Sequence, residues 1–407
     1  MNQLTPADFA PPVSIQRMRN TSLVVGVLFS VLAAIGAYIK LDLFLHSWLF
    51  AFMFWLGLTF GSLALLMLQY VSGGNWGRLG RRIWEAAAGN WWLMFLFWLP
   101  IAFGMKLIYT WASMPHDKAL KDLGADKVNL YLNPNGFIIR GIIYFAGWAL
   151  LYIVLKNWSK KEEAGQTTPA KFVFIQNLSG FGIVFYAVSI TFASIDWTMS
   201  LYPQWWSTVW GMQTMVGQVL TTFCFTLCLL VKLAQVEPVN RVFKTDHLHD
   251  FGKLMFAFVV LWAYLSFSQW IIIWSGNMLS EIRWYLMRLA HGWQYFGTAL
   301  VFVHFVFPFA LLLSRNLKRH GRRVVLIALL VLFMRLVDLF WLTAPNFYPG
   351  TEAGLNNFGW QDAAMYVVCP IAMGGIWLFF FYWNLGKRSL MPVNDPGFEA
   401  MLEAKHG

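Results

Sequence analysis

Residues 48–70 read WLFAFMFWLGLTFGSLALLMLQY, twenty-three positions without one charged side chain. A helix crossing a hydrocarbon layer of ~30 Å needs ~20 such residues in a row, and a soluble core seldom does. Nine further stretches of similar character lie on either side. Together they predict spans near 20–39, 48–70, 90–112, 136–156, 172–195, 207–232, 253–275, 292–314, 324–344 and 361–385. Composition agrees, with 58% hydrophobic and 12% charged residues and a mean hydropathy of +0.55. The expected fold is an all-α polytopic membrane protein of about ten transmembrane helices. It forms one integral membrane unit over 1–407, because no connection is long enough for a separate globular domain. The basic pair Arg17 and Arg19 precedes the first run, which is read as a retained helix that starts insertion.

The basic residues predict an orientation. Twenty-one Lys and Arg fall in the even-numbered connections and the two tails, against six in the odd-numbered connections; Lys106, Arg140 and Arg335 lie inside spans. By the positive-inside rule both termini are cytoplasmic. The net charge of +11 is then largely topological, lying against an anionic leaflet, and argues for membrane lipid rather than nucleic acid as the partner. On this reading the loop cations only orient and solubilise. The longest outer connection, 112–135, carries Lys and Asp around a short helical stretch from Lys118 to Lys127, suited to covering a partner or closing over a pocket. The tail 386–407, with Pro392 and Pro396, either docks or stays mobile.

Cofactor chemistry finds few ligands. Cys224 and Cys228 sit one turn apart and Cys369 stands alone, all within spans, which suits small core residues better than a metal clip. Haem held by two histidines needs facing residues at membrane depth, and only His304 is clearly mid-span. His291 precedes it by thirteen residues, while His46, His116, His247, His249, His320 and His406 fall in expected loops or tails. No metal or haem site is expected in this chain.

Ionisable residues at membrane depth are functional candidates, because burying them costs several kcal/mol. Arg335 and Asp338 share a helix face at i and i+3 and either handle protons or compensate each other structurally. Asp196, in Ser194-Ile195-Asp196-Trp197, is a carboxylate placed to take protons, or else an N-cap. Lys106 either tunes that region or snorkels to the interface, and Arg140, after Asn133-Pro134-Asn135-Gly136, meets an acidic partner or anchors the boundary. All lie towards the outer face, with His304 deeper. The 23 Trp and 37 Phe, in groups such as Trp91-Trp92, Trp205-Trp206 and Trp341, read first as interfacial belts.

Several of these segments occur together in one family. The run Ser194-Ile195-Asp196-Trp197-Thr198-Met199-Ser200-Leu201-Tyr202-Pro203-Gln204-Trp205-Trp206-Ser207-Thr208 resembles a signature of the NrfD-like membrane subunits of bacterial alternative complex III. Leu261-Trp262-Ala263-Tyr264, Phe267-Ser268-Gln269, Ile273-Trp274-Ser275-Gly276-Asn277, Trp284-Tyr285, Gly292-Trp293-Gln294 and His304-Phe305 to Pro308 are similar to its smaller, F-type subunit. So are Leu313-Ser314-Arg315, Met334-Arg335-Leu336-Val337-Asp338-Leu339-Phe340-Trp341, and Tyr131-Leu132-Asn133 followed by Arg140. The resemblance covers about 120–345. Tyr202 and Gln204 depart from it, standing where many relatives carry an acidic residue and a histidine, which weakens an acid–base role for that loop.

What the resemblance implies is a subunit of two four-helix bundles with flanking helices, binding no redox centre of its own, in a bacterial cytoplasmic-membrane quinol:cytochrome c (or high-potential acceptor) oxidoreductase. The implied partners are a larger NrfD-like subunit, an outer iron–sulfur protein, multihaem cytochromes c that supply haem c, and a terminal oxidase. Catalysis then belongs to the assembly. Asp196, Arg335, Asp338 and His304 are the candidates for proton transfer, with Lys106 and Arg140 as electrostatic support. Three alternatives stay open: a chain that itself oxidises quinol beside an iron–sulfur partner, a secondary transporter with Pro100 and Pro308 as its helix breaks, or a structural scaffold.

Overall fold

Inside hydrocarbon a backbone N–H or C=O finds no water, so each crossing must close its own hydrogen bonds as a helix. The computed structural model describes residues 5–166, 168–237, 239–348, 358–395 and 397–398, and it is all-α among them. Nine helices there are long and apolar enough to cross a membrane. They are α1 (Val13–Ile39), α2 (Leu41–Ser72), α5 (Pro134–Glu163), α6 (Pro169–Trp197), α7 (Trp210–Leu233), α8 (Thr245–Gly276), α9 (Trp293–Leu313), α10 (Gly321–Thr343) and α11 (Trp360–Leu385). Two shorter helices, α3 (Asn75–Ala88) and α4 (Trp91–Phe103), meet at a 43° bend, and a tenth crossing exists only if they are taken together.

The expected uninterrupted span at 90–112 is therefore broken. Pro100 removes one backbone donor from α4, and the helix stops at Gly104. A Cβ at Gly104 would lie 2.6 Å from Leu45, so α2 passes too close for a side chain there. The chain continues as two single turns, Met105–Ile108 and Thr110–Ser113, separated by extended Tyr109. His46, expected in a loop, lies inside α2, which begins at Leu41, and its ring stacks on Phe347 at 3.7 Å. His247 and His249 likewise fall within α8.

Helix contacts sort the crossings into two groups. In one, α2 packs on α4 and α6, and α5 on α4 and α6; in the other, α7 packs on α8 and α10, and α9 lies against α8 and α10. The α2–α7 and α6–α7 contacts join the two. The outermost helix α1 packs mainly on α11, where Gly26 and Gly375 meet so closely that a Cβ on Gly375 would lie 2.3 Å from the Gly26 Cα.

Many tryptophans are core residues, although Trp92 and Trp206 of the expected belts are exposed. Trp84, Trp98, Trp148, Trp197, Trp205, Trp293 and Trp377 are fully buried, whereas Trp206, adjacent to Trp205, is exposed. A helix in a bundle has a protein-facing side at every depth, so a large ring near a span end need not meet the lipid interface.

The loop cations also need correcting. Arg81 and Arg82 on α3 are buried. Arg81 pairs with Glu85, Glu162 and Asp395, and Arg82 with Glu85. Arg388 reaches Glu85 at 3.0 Å, and Arg78 reaches Asp395 at 2.8 Å. The described part of the tail is thus docked; Leu390 N–H donates to the Phe9 carbonyl, and Phe9 meets Phe398 edge-on. These cations are a buried lattice that closes the arginine-rich end, not only solvated topological charge.

Candidate functional site

Asn133 builds the first cluster from the turn before α5. Its side chain caps the helix by accepting the Gly136 N–H at 2.7 Å, with Pro134 at the first helical position. That start places Arg140 and Tyr144 on one face, one turn apart. Both reach Asp196 near the end of α6. Arg140 Nη2 donates to Oδ1 at 2.7 Å, its Nε to Oδ2 at 3.0 Å, and the Tyr144 hydroxyl to Oδ2 at 2.9 Å. The guanidinium lies 4.0 Å over the Tyr131 ring. Asp196 is almost fully buried and is no N-cap; its carbonyl accepts from Ser200 instead. Tyr131 lies outside the crossings, and burial, then the Asp196 charge, push its phenol above the usual range.

The second cluster lies in the interior of the other bundle. Arg335 pairs with Asp338 one turn along α10, and the Trp262 indole of α8 donates to Asp338 Oδ2 at 3.1 Å. The His304 ring meets the Trp262 ring edge-on at 4.1 Å. His304 is fully buried, and neither ring nitrogen has a hydrogen-bond partner among the described residues. It sits in a π-helical segment, Leu300–Val306, just before Pro308. Pro308 has no N–H to offer the His304 carbonyl one α-turn back, and the wider π-turn accompanies that lost bond.

Gly217 of α7 explains how Arg335 fits. A Cβ at that position would lie 2.1 Å from Arg335 Nη2, so the guanidinium occupies the space where a larger residue's side chain would begin. A cavity of about 20 Å³ adjoins the pair between α2, α7 and α10. Gly57, Gln213, Thr214, Gln218 and Thr221 line it together with Arg335 and Asp338. Arg335 Nε and Gln213 Oε1 are buried without a partner among the described residues.

The sequence candidates therefore separate. Arg140 joins Asp196, and Arg335 joins Asp338 with His304 behind Trp262; Lys106 is exposed on Met105–Ile108 and forms no ion pair among the described residues. Gly217, Gln213, Gln218 and Thr221 were missed as site residues. Their signal was present as Gln213, Gly217 and Thr221 at i, i+4 and i+8, the spacing of one helix face, with Gln218 next to Gly217.

Arg288, a loop charge by its place in the sequence, is a further buried cation. It is completely buried, donates to the carbonyls of Trp284, Trp341 and Leu342, and lies 3.5 Å over the Trp284 ring. Burial pulls its guanidinium well below the usual arginine range, against the opposing pull of Tyr285 and Tyr202. Carbonyls at the end of α10 carry negative partial charge, which supplies the compensation a carboxylate gives elsewhere.

The three cysteines are free, Cys224 and Cys369 buried and Cys228 partly so. Among the described residues, no group of three or more His, Cys, Asp and Glu side chains converges as a metal site would require. No family model and no curated protein matches this sequence.

Proposed function

We propose that this chain is a membrane subunit, without redox cofactors of its own, of a respiratory quinol:electron-acceptor oxidoreductase similar to alternative complex III. It supports assembly and handles protons in a bacterial cytoplasmic membrane. The carrying observation is the Arg335–Asp338 pair, buried among apolar helices beside a cavity that Gln213, Thr214, Gln218 and Thr221 help to line, with the Trp262 and His304 rings edge-on behind it. A carboxylate kept at membrane depth is costly, and a proton-transfer role gives that cost a purpose. The order of motifs across 120–345 adds the respiratory context.

In this reading Asp338 exchanges protons, Arg335 sets how readily it does so, and His304 waits behind Trp262 as a relay. Asp196, held by Arg140 and Tyr144, serves the outer boundary. Quinol is the substrate of the assembly. Haem c and iron–sulfur clusters belong to partner subunits, with a larger NrfD-like subunit beside this one.

The test is purification from native membranes in mild detergent, identification of partners, and quinol-oxidation assays of Asp196→Asn and Asp338→Asn complexes. Co-purification with an iron–sulfur protein and cytochromes c, with slowed turnover in intact complexes, supports the proposal. Full activity in both variants reduces the chain to scaffold, and absence of any redox partner overturns the respiratory assignment.

A further inference from the structure

We infer that the cavity between α2, α7 and α10 is a binding site for one ordered water, which accepts from Arg335 Nε–H and donates to Gln213 Oε1. The water makes the Arg335–Asp338 pair continuous with the polar groups of the arginine-poor end. Its use as a proton route rests on the function proposed above; its existence does not.

Size and chemistry agree on the ligand. The cavity measures about 20 Å³, and a water needs roughly 10–15 Å³ by the same measure together with two or more polar partners. Arg335 and Gln213 both line it, and each is more than nine-tenths buried. The two orphaned atoms are complementary, one a donor and one an acceptor. Gln213 Nε2 already donates to Ser266 Oγ at 3.1 Å, and Oε1 is the amide atom without a partner among the described residues. A small neutral molecule that both accepts and donates satisfies the pair, and water is the smallest that does so.

The connection has a direction. Ser266 lies one turn from Gln269 on α8, and Gln269 contacts both the Ser207 hydroxyl and the Tyr285 hydroxyl at 3.3 Å, at the arginine-poor end. Towards the arginine-rich end the polar stripe of α7 turns in on itself. Thr221, Thr222 and Thr226 each spend their hydroxyl proton on a carbonyl one turn back, at 2.7–2.9 Å. Below them, the Trp84 indole donates to Thr226 and fills the space with an apolar ring. The polar groups beyond Gln213 thus lie on the side that the charge distribution assigns to the outside.

The test is radiolytic hydroxyl-radical footprinting of the full chain in lipid nanodiscs, read by mass spectrometry, because a bound water yields radicals that oxidise its neighbours. Met53 and Trp210 line the cavity; Met67, Met94, Trp84 and Trp377 are as deeply buried and do not. The expected result is oxidation of Met53 and Trp210 several-fold faster than of those four, falling to their level in Gln213→Leu. Equal rates for all six residues in the unaltered chain overturn the inference, whether or not the variant folds. Labelling that persists undiminished in folded Gln213→Leu overturns the assignment of Gln213 as the acceptor. Neither readout needs a partner subunit or quinol, so failure of the respiratory proposal leaves this test intact.

Discussion

The arginine-rich end and the membrane interior both bury arginine beside carboxylate, yet they do so in opposite styles. Around Arg81 the charges are dense: Glu85, Glu162 and Asp395 all contact one guanidinium, and Arg82, Arg388 and Ser159 complete the coordination of Glu85. Around Asp338 there is one cation, one indole and a cavity, and polar atoms on Arg335 and His304 remain unpartnered among the described residues. A crowded network holds shape because every member is fixed several times over. A sparse pair is cheap to rearrange, and rearrangement is what proton exchange requires.

The comparison breaks most sharply at Arg81. Arg81→Met removes the guanidinium that Glu162 pairs with and one contact each from Glu85 and Asp395, and loss of one partner from a buried charge group costs about 3–5 kcal/mol. The expected outcome is a large drop in the thermal unfolding midpoint of the purified chain, with unchanged turnover per folded complex. A variant as stable as the parent would show that the network contributes nothing to the fold.

The interior pair is sharpened by a single and a double change. Asp338→Asn strands Arg335 and lowers both stability and turnover. Replacing both residues, Arg335→Leu with Asp338→Leu, removes the stranded charge and restores most of the stability, since buried pairs often exchange for apolar residues at little cost. Turnover stays low in the double variant if the pair handles protons. Recovery of turnover together with stability would make it a packing device.

Gly217→Ala is a gentler probe of the same pair. Its added methyl would lie 2.1 Å from the Arg335 guanidinium, and overpacking of this kind costs about 1–3 kcal/mol. The expected loss in unfolding midpoint disappears when Arg335 is shortened to leucine; additive losses would show that the two residues do not touch.

The smallest effect lies at the other ion pair. The Tyr131 phenol is raised by burial and the Asp196 charge, so the folded state holds that proton more tightly than the unfolded state. Its stabilisation is complete below the ordinary phenol range, about 10, and fades as pH rises through the raised folded value. Tyr131→Phe is expected to flatten the alkaline loss of stability. An identical alkaline profile would remove Tyr131 from the pair's environment.

Crossings such as α2, α7 and α11 were legible because a long apolar run is itself the physical requirement for spanning. The break after α4 was less so, since it depends on Leu45 of a different helix approaching Gly104. Membrane-depth charges advertised Arg335 and Asp338, and their spacing gave the pairing. The union of Arg140 with Asp196 joins residues 56 positions apart, which no local pattern encodes. The lattice around Arg81 was invisible for the same reason, its contact with Asp395 spanning 314 positions. A loop arginine reads as solvated until the segment that covers it is known. Gly217 carried a weak signal, a glycine within a polar stripe, whose meaning required the Arg335 side chain to be seen against it.

The glycine contact between α1 and α11 bears on biogenesis. Helix α1 is made before every other crossing described here, and its main neighbour is the one made after all of them. Until α11 leaves the ribosome, Gly26 has only lipid where the Gly375 backbone will sit. Among the described crossings the first made is thus clasped by the last, and α1 gains its main neighbour only once α11 is in place.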